Sequence, residues 1–105
     1  RFSTSLMPWS EVNLPDELGV IKRNDRHITY TRFTKTAHFS LPESLAHQPL
    51  ELKFQSPSRV KLLNRTQHEE MKKIWQQQQV PVWERGRVPL LFCDEMLLFM
   101  LKIDD

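Results

Sequence analysis

Four histidines, His27, His38, His47 and His68, and one cysteine, Cys93, are the side chains best suited to metal or nucleophilic chemistry. No histidine stands at zinc-ligand spacing from another or from Cys93. Cys93 closes the apolar run Pro89-Leu90-Leu91-Phe92-Cys93 and is followed by Asp94 and Glu95. A reactive thiolate needs an electropositive neighbour, so this thiol reads as a buried small hydrophobe. A single cysteine also excludes an internal disulfide framework. Gly19 and Gly86 are the only glycines, too few for a P-loop or a dinucleotide fingerprint. The acidic pairs Asp16-Glu17, Glu69-Glu70, Asp94-Glu95 and Asp104-Asp105 are adjacent in sequence, and adjacent side chains do not face a common substrate. No Ser/His/Asp set has the local context of a nucleophile elbow. The chain is therefore expected to carry no catalytic residue, no metal and no cofactor of its own.

What remains is basic. Residues 20–87 hold thirteen Lys/Arg against six Asp/Glu, a balance of +7, whereas residues 1–19 balance at −2 and residues 88–105 at −3. A basic middle between acidic ends suits a polyanion, although soluble domains also scatter Lys and Arg over their surfaces. Arg59, Lys61, Arg65, Lys72, Lys73, Arg85 and Arg87 are interleaved with Trp75 and Trp83. That mixture suits phosphate and ribose contact, and folded RNA is read largely by shape and backbone. Trp75 lies on an apolar stripe and reads as core. Trp83 follows a proline turn and is compatible with core or surface, with core favoured. Lys72 and Lys73 fit a solvated helix face as well as a phosphate contact.

The elements that must position these residues follow from periodicity. At 105 residues the chain has the size of one domain. Residues 1–17, with Pro8 and Pro15, read as a linker or N-terminal arm with one short strand at most, and residues 18–105 as the domain. Leu18-Gly19-Val20-Ile21 and His27 to Phe33 suggest a hairpin with a loop longer than two residues. Residues 34–49 read as irregular. Leu50 to Phe54 and Arg59 to Leu63 alternate as strands. Thr66 and Glu69 have the spacing of a capping box, and Met71, Ile74 and Trp75 follow at helical spacing, which predicts the main helix over about 67–79. Val80 before Pro81 should stop it. Pro89 to Cys93 reads as a buried strand, Asp94-Glu95 as a tight turn and Met96 to Leu101 as the returning strand. The expected fold class is α+β: a small mixed or antiparallel sheet, one main helix and a C-terminal hairpin.

Lys72-Lys73-Ile74-Trp75, Val80-Pro81, Trp83, Arg85 and Pro89-Leu90-Leu91-Phe92 together resemble the C-terminal domain of tRNA(Ile)-lysidine synthases. The specific match covers about residues 50–100. The resemblance implies a parent enzyme whose separate N-terminal, ATP-pyrophosphatase-type domain carries a Ser-Gly-Gly-x-Asp-Ser loop, adenylates the wobble cytidine of tRNA(Ile) and attaches lysine. ATP and lysine are then substrates of that domain, and the loop is absent here. It also implies a domain like one in the phenylalanyl-tRNA synthetase β subunit, holding the tRNA body and acceptor stem. By position, Arg65, Lys72, Lys73 and Arg85 match basic family positions and become the expected tRNA contacts. One departure bears on this. Thr66-Gln67-His68-Glu69-Glu70 stands where the family usually has glycines and further basic residues. Glu69 and Glu70 repel phosphate, which implies an RNA face either weaker there or shifted toward Lys22 to Lys35.

The expected partners are tRNA(Ile) and the catalytic domain of the same protein. The competing reading is a structural or dimerisation module, motivated by edge strands and by the apolar Met96 to Leu101 segment. A chain beginning at Arg1, with no signal-peptide run and no apolar stretch long enough to span a bilayer, is expected to be cytoplasmic and cut from a longer protein.

Overall fold

The computed structural model describes residues 3–103. The first residues of the expected arm (Arg1, Phe2) and the last two of the acidic tail (Asp104, Asp105) lie outside them. The architecture is three layers: a four-stranded sheet, a six-stranded sheet, and a helix on the far face of the second.

The four-stranded sheet is an antiparallel meander of β2 (Trp9–Asn13), β3 (Val20–Asn24), β4 (His27–Arg32) and β5 (Lys35–Ser40). Ile21 pairs with Tyr30 and Arg23 with Ile28, so period-2 alternation sends these four side chains inward. The hairpin is tighter than the sequence suggests. Strand β3 runs on to Asn24, and Asp25-Arg26 alone makes the turn, with Asp25 at φ 51°. Asp tolerates that left-handed conformation through its short polar side chain. Residues 35–40, expected as irregular, form β5. It is an edge strand whose inward residues are only Ala37 and Phe39, so its apolar signal is weak.

The six-stranded sheet has the order β1-β6-β9-β10-β7-β8, with β1 (Ser3–Leu6), β6 (Leu50–Lys53), β7 (Arg59–Leu62), β8 (His68–Glu70), β9 (Leu90–Cys93) and β10 (Met96–Met100). Only β10 and β7 run parallel. The first seventeen residues thus contribute two strands, one to each sheet. Alternation there is masked because Thr4 and Ser10 take half-buried positions while Trp9 is exposed, and the partner of β1 is remote in sequence.

Strand β9 explains the unbroken apolar run. Leu91 packs with Leu52, Ile21 and Tyr30 between the sheets, whereas Leu90 and Phe92 pack with Ile74, Trp75 and Val88 on the helix side. A strand buried on both faces needs apolar residues at every position. The terminal hairpin turns at Asp94-Glu95 as expected, with Asp94 at φ 54°. Strand β10 carries a bulge between Leu97 and Phe99. It lies inside the sheet, between β9 and β7, so its apolar character is accounted for by the two cores.

The helix α1 (Met71–Gln77) is shorter than the predicted 67–79. Residues 68–70 pair with β7 as β8, placing Glu69 opposite Val60. Glu70 becomes the N-cap and makes no side-chain capping bond, so the Thr66/Glu69 capping box does not form. Strand pairing removes Glu69 from helical geometry, which the local signature does not reveal. The helix ends as expected. Gln79 takes φ 58°, Gln79 N donates to Gln76 O and Val80 N to Trp75 O. Those two bonds are the Schellman pattern, with Val80 packed in the same core as Ile74 and Trp75.

One buried cation ties the layers together. Arg23 is 2% exposed. Its Nε donates to Asp25 O (2.8 Å), one terminal nitrogen to Leu6 O (2.8 Å), and the other to Leu45 O and Ala46 O (both 3.1 Å). Leu6 ends β1 of one sheet, Asp25 is the turn of the other, and residues 43–46 are the one-turn 3-10 segment between the sheets. Burial lowers the guanidinium's pKa from its ordinary value, and the nearby Asp25 and Cys93 oppose that.

Candidate nucleic-acid interface

Burying Met71, Ile74 and Trp75 leaves Lys72 and Lys73 exposed on α1. Neither has an ion pair or hydrogen bond among the described residues. A helix pinned by three buried side chains presents these two ammonium groups from a fixed backbone. Arg65 is exposed in the turn before β8, where Asn64 takes φ 63°, and one terminal nitrogen lies 3.4 Å from Glu69 Oε2. Exposed pairs of this kind contribute little to stability. The pairing nonetheless draws part of Arg65's charge toward its own strand. Arg85 is half-buried in the 3-10 segment Val82–Arg87, and its Nε donates to Val80 O (3.1 Å). Part of that guanidinium braces the turn after the helix.

The four expected residues are therefore strung along one segment, from the turn before β8, over α1, to the turn beyond it. They do not converge on a point, and no pair of them shares a hydrogen bond or ion pair among the described residues. A surface of this kind can track a phosphate backbone.

Another surface joins Trp83 and Arg87 of the basic segment to Arg32 and Phe33, a meeting the sequence does not disclose. A cleft of about 320 Å³ opens between the β4–β5 turn, the chain just after α1 and the segment that follows β10, lined among others by Arg32, Phe33, Lys35, Glu84, Arg87 and Lys102. A smaller one of about 190 Å³ shares Arg32, Glu84 and Arg87 with it and adds Trp83. Trp83, expected in the core, is 81% exposed, and Phe33 is 83% exposed. Pro81 directs the chain away from the core after Val80, so Val82 and Trp83 point outward while Val88 returns inward. The signal for Phe33 is its position: an aromatic residue between Arg32 and Lys35 in a two-residue turn, where Gly or Asn is usual.

Cys93, expected to be buried, is half-buried and packs against the core between the sheets. Burial raises its pKa, Asp94 adds to the rise and Arg23 partly offsets it. Lys102 Nζ donates to Gln78 O (2.6 Å), meeting a free carbonyl at the C-terminal end of α1 where a cation is favoured.

The sequence profile described as the TilS substrate C-terminal domain matches residues 50–103, the part that contains β6 to β10 and α1. The chain belongs to the family of tRNA(Ile)-lysidine synthase C-terminal domains. Against the tRNA(Ile)-lysidine synthase of Haemophilus ducreyi it is 40% identical over 90 residues, covering 86% of this chain and 21% of that protein. Against that of Actinobacillus pleuropneumoniae it is 36% identical over 99 residues, covering 94% of this chain and 24% of that protein. The corresponding figures for Buchnera aphidicola are 32%, 94 residues, 85% and 19%. The chain thus spans about a fifth to a quarter of the length of these lysidine synthases. The matches reach beyond the profile into the four-stranded sheet, so the Arg32–Phe33 turn lies within or beside the related region. No helix among the described residues is long and apolar enough to cross a membrane.

Proposed function

We propose that this chain is the non-catalytic, tRNA-holding end of a cytoplasmic tRNA(Ile)-lysidine synthase. It grips the tRNA body or acceptor stem while a separate N-terminal domain uses ATP to attach lysine to the wobble cytidine. The observation that carries this reading is the Lys72-Lys73 pair, held exposed on a helix whose opposite side is locked in the core, in a chain of this family. Arg65 and Arg85 extend the same basic track, each with part of its guanidinium engaged by the protein. Such contacts neutralise phosphates and position the RNA without reading its sequence.

The alternative, a structural or dimerisation module, drew on edge strands, which β1, β8, β2 and β5 supply, and on the apolar Met96 to Leu101 segment. That segment lies inside the sheet, which leaves the RNA reading better supported.

The test is a titration of tRNA(Ile) with the chain and with its Lys72→Ala/Lys73→Ala variant. Removing two phosphate contacts should weaken binding and make its log–log salt dependence shallower by about 2. Unchanged affinity and salt dependence would show that α1 does not face the RNA.

A further inference from the structure

Among the described residues Phe33 and Trp83 are the two most exposed large apolar side chains, and each lines one of the adjoining clefts. We infer that this groove seats an unpaired RNA nucleotide, its base stacked on Phe33 or Trp83 and its phosphate held by Arg32 and Arg87. The inference rests on the RNA-binding reading and adds to it a second site, whose lining does not include Arg65, Lys72, Lys73 or Arg85.

Phe33 occupies the first position of the β4–β5 turn at φ 57°. A bulky residue pays a steric cost in that left-handed region, where Gly or Asn would sit without strain. The fold thus holds an aromatic ring out in solvent at a position that local stability does not favour. Strain of this kind is a pointer to function. The Arg32 guanidinium carbon sits 5.0 Å from the Phe33 ring centroid, and Arg32 Nε is buried without a protein acceptor. Arg87 lines both clefts and has no ion pair or hydrogen bond among the described residues. Lys35 and Lys102 add positive charge to the larger cleft, and among the described residues Glu84 is the one acidic residue lining either of them. The groove is therefore cationic.

Its size and layout select the ligand. A cleft of about 320 Å³ lies at the lower end of small-molecule sites, right for one nucleotide and too small for a duplex. Base faces are accessible only in unpaired RNA, and stacking on aromatic side chains beside basic groups is how single strands are held. Charge complementarity favours a phosphate-bearing ligand: Arg32, Lys35, Arg87 and Lys102 line the clefts against Glu84 alone among the described residues.

The experiment compares an RNA duplex carrying a short single-stranded overhang with the same duplex cut blunt, both titrated with the chain at fixed salt. The expected result is about tenfold tighter binding of the overhang RNA. Trp83→Ala or Phe33→Asn should each reduce that preference severalfold and leave blunt-duplex affinity unchanged. Lys72→Ala/Lys73→Ala should weaken both RNAs alike. Misfolding would not imitate this, because Trp83 is exposed and Asn relieves the strain at position 33; thermal midpoints should hold or rise. Equal affinity for the two RNAs, with salt-dependent binding retained, would overturn the groove assignment and leave the tRNA-appendage reading standing. Failure to bind either RNA at low salt would overturn both. Self-association that is lost in Trp83→Ala, without an overhang preference, would assign the surface to a second copy of the chain and overturn the nucleotide site.

Discussion

Replacing Arg23 by Met tests whether one buried cation holds the two sheets together. Met keeps much of the volume and removes all the donors. Four carbonyls then lose a donor: Leu6 O and Ala46 O in buried positions, Asp25 O and Leu45 O in partly buried ones, with Leu45 O keeping Gln48 N at 3.2 Å. The last two can turn to water. Each buried acceptor left unmet costs about 1–3 kcal/mol, so two cost about 2–6 kcal/mol. The variant is relieved of desolvating a guanidinium, which returns part of that. A net loss of about 3 kcal/mol follows, a large fraction of the roughly 5–15 kcal/mol that typically stabilises a domain. For a domain of this size that corresponds to a midpoint about 12–24 °C lower. Chemical and thermal denaturation followed by circular dichroism would measure it, with the denaturant slope unchanged if only stability alters. Arg23→Lys should fall between, since one ammonium cannot span carbonyls from both sheets. An Arg23→Met variant within about 0.5 kcal/mol of the parent would refute the strut, because that is the range of inconsequential surface changes.

Other outcomes follow from single sites. Gly19 has φ 122°, and a Cβ there would overlap the Thr31 carbonyl oxygen, so Gly19→Ala should cost about 1–3 kcal/mol in the same denaturation assay. Tyr30, the sole tyrosine, is buried with its hydroxyl donating to Leu18 O at 2.6 Å, and burial raises its pKa above the ordinary 10.0. Above pH 10 the unfolded chain releases this proton first, so the stability Tyr30 contributes is complete below pH 10 and is lost as pH rises through the folded value. A tyrosinate absorbance titration should therefore show a midpoint above 10 while the chain stays folded, and Tyr30→Phe should flatten the alkaline loss of stability. Trp75→Ala, by opening a cavity beside Ile74 and Phe92, should cost about 3–5 kcal/mol, measured by chemical denaturation, whereas Trp83→Ala should cost almost nothing.

The contrast between those two tryptophans shows what the sequence discloses. Trp75 sits four residues after Met71 and one after Ile74, and that helical spacing assigns it to the core. Trp83 has no periodic neighbours, and only the path of the chain after Pro81 decides that it faces solvent. Leu50 to Lys53 and Leu90 to Cys93 were legible as strands because their apolar residues follow the pleat or fill both faces. Strands 3–6 and 35–40 were not, because an edge or remote pairing gives little apolar signal. The Thr66/Glu69 signature misled for a related reason: pairing with β7 outweighs a local cap. Lys72 and Lys73 were found through the family pattern and lie exposed on α1. The Phe33–Trp83 groove joins residues fifty apart in sequence, and nothing local announces such a meeting.

The most direct test of the central claim is a titration of the chain with tRNA(Ile) at low and physiological salt, read by backbone amide shifts. The account predicts binding whose logarithm falls against log salt with a slope of about −3 to −4, as for four phosphate contacts. The shifts should centre on Arg65, Lys72, Lys73 and Arg85. Absence of binding at low salt, or binding that salt does not weaken, would contradict the claim that this chain holds tRNA.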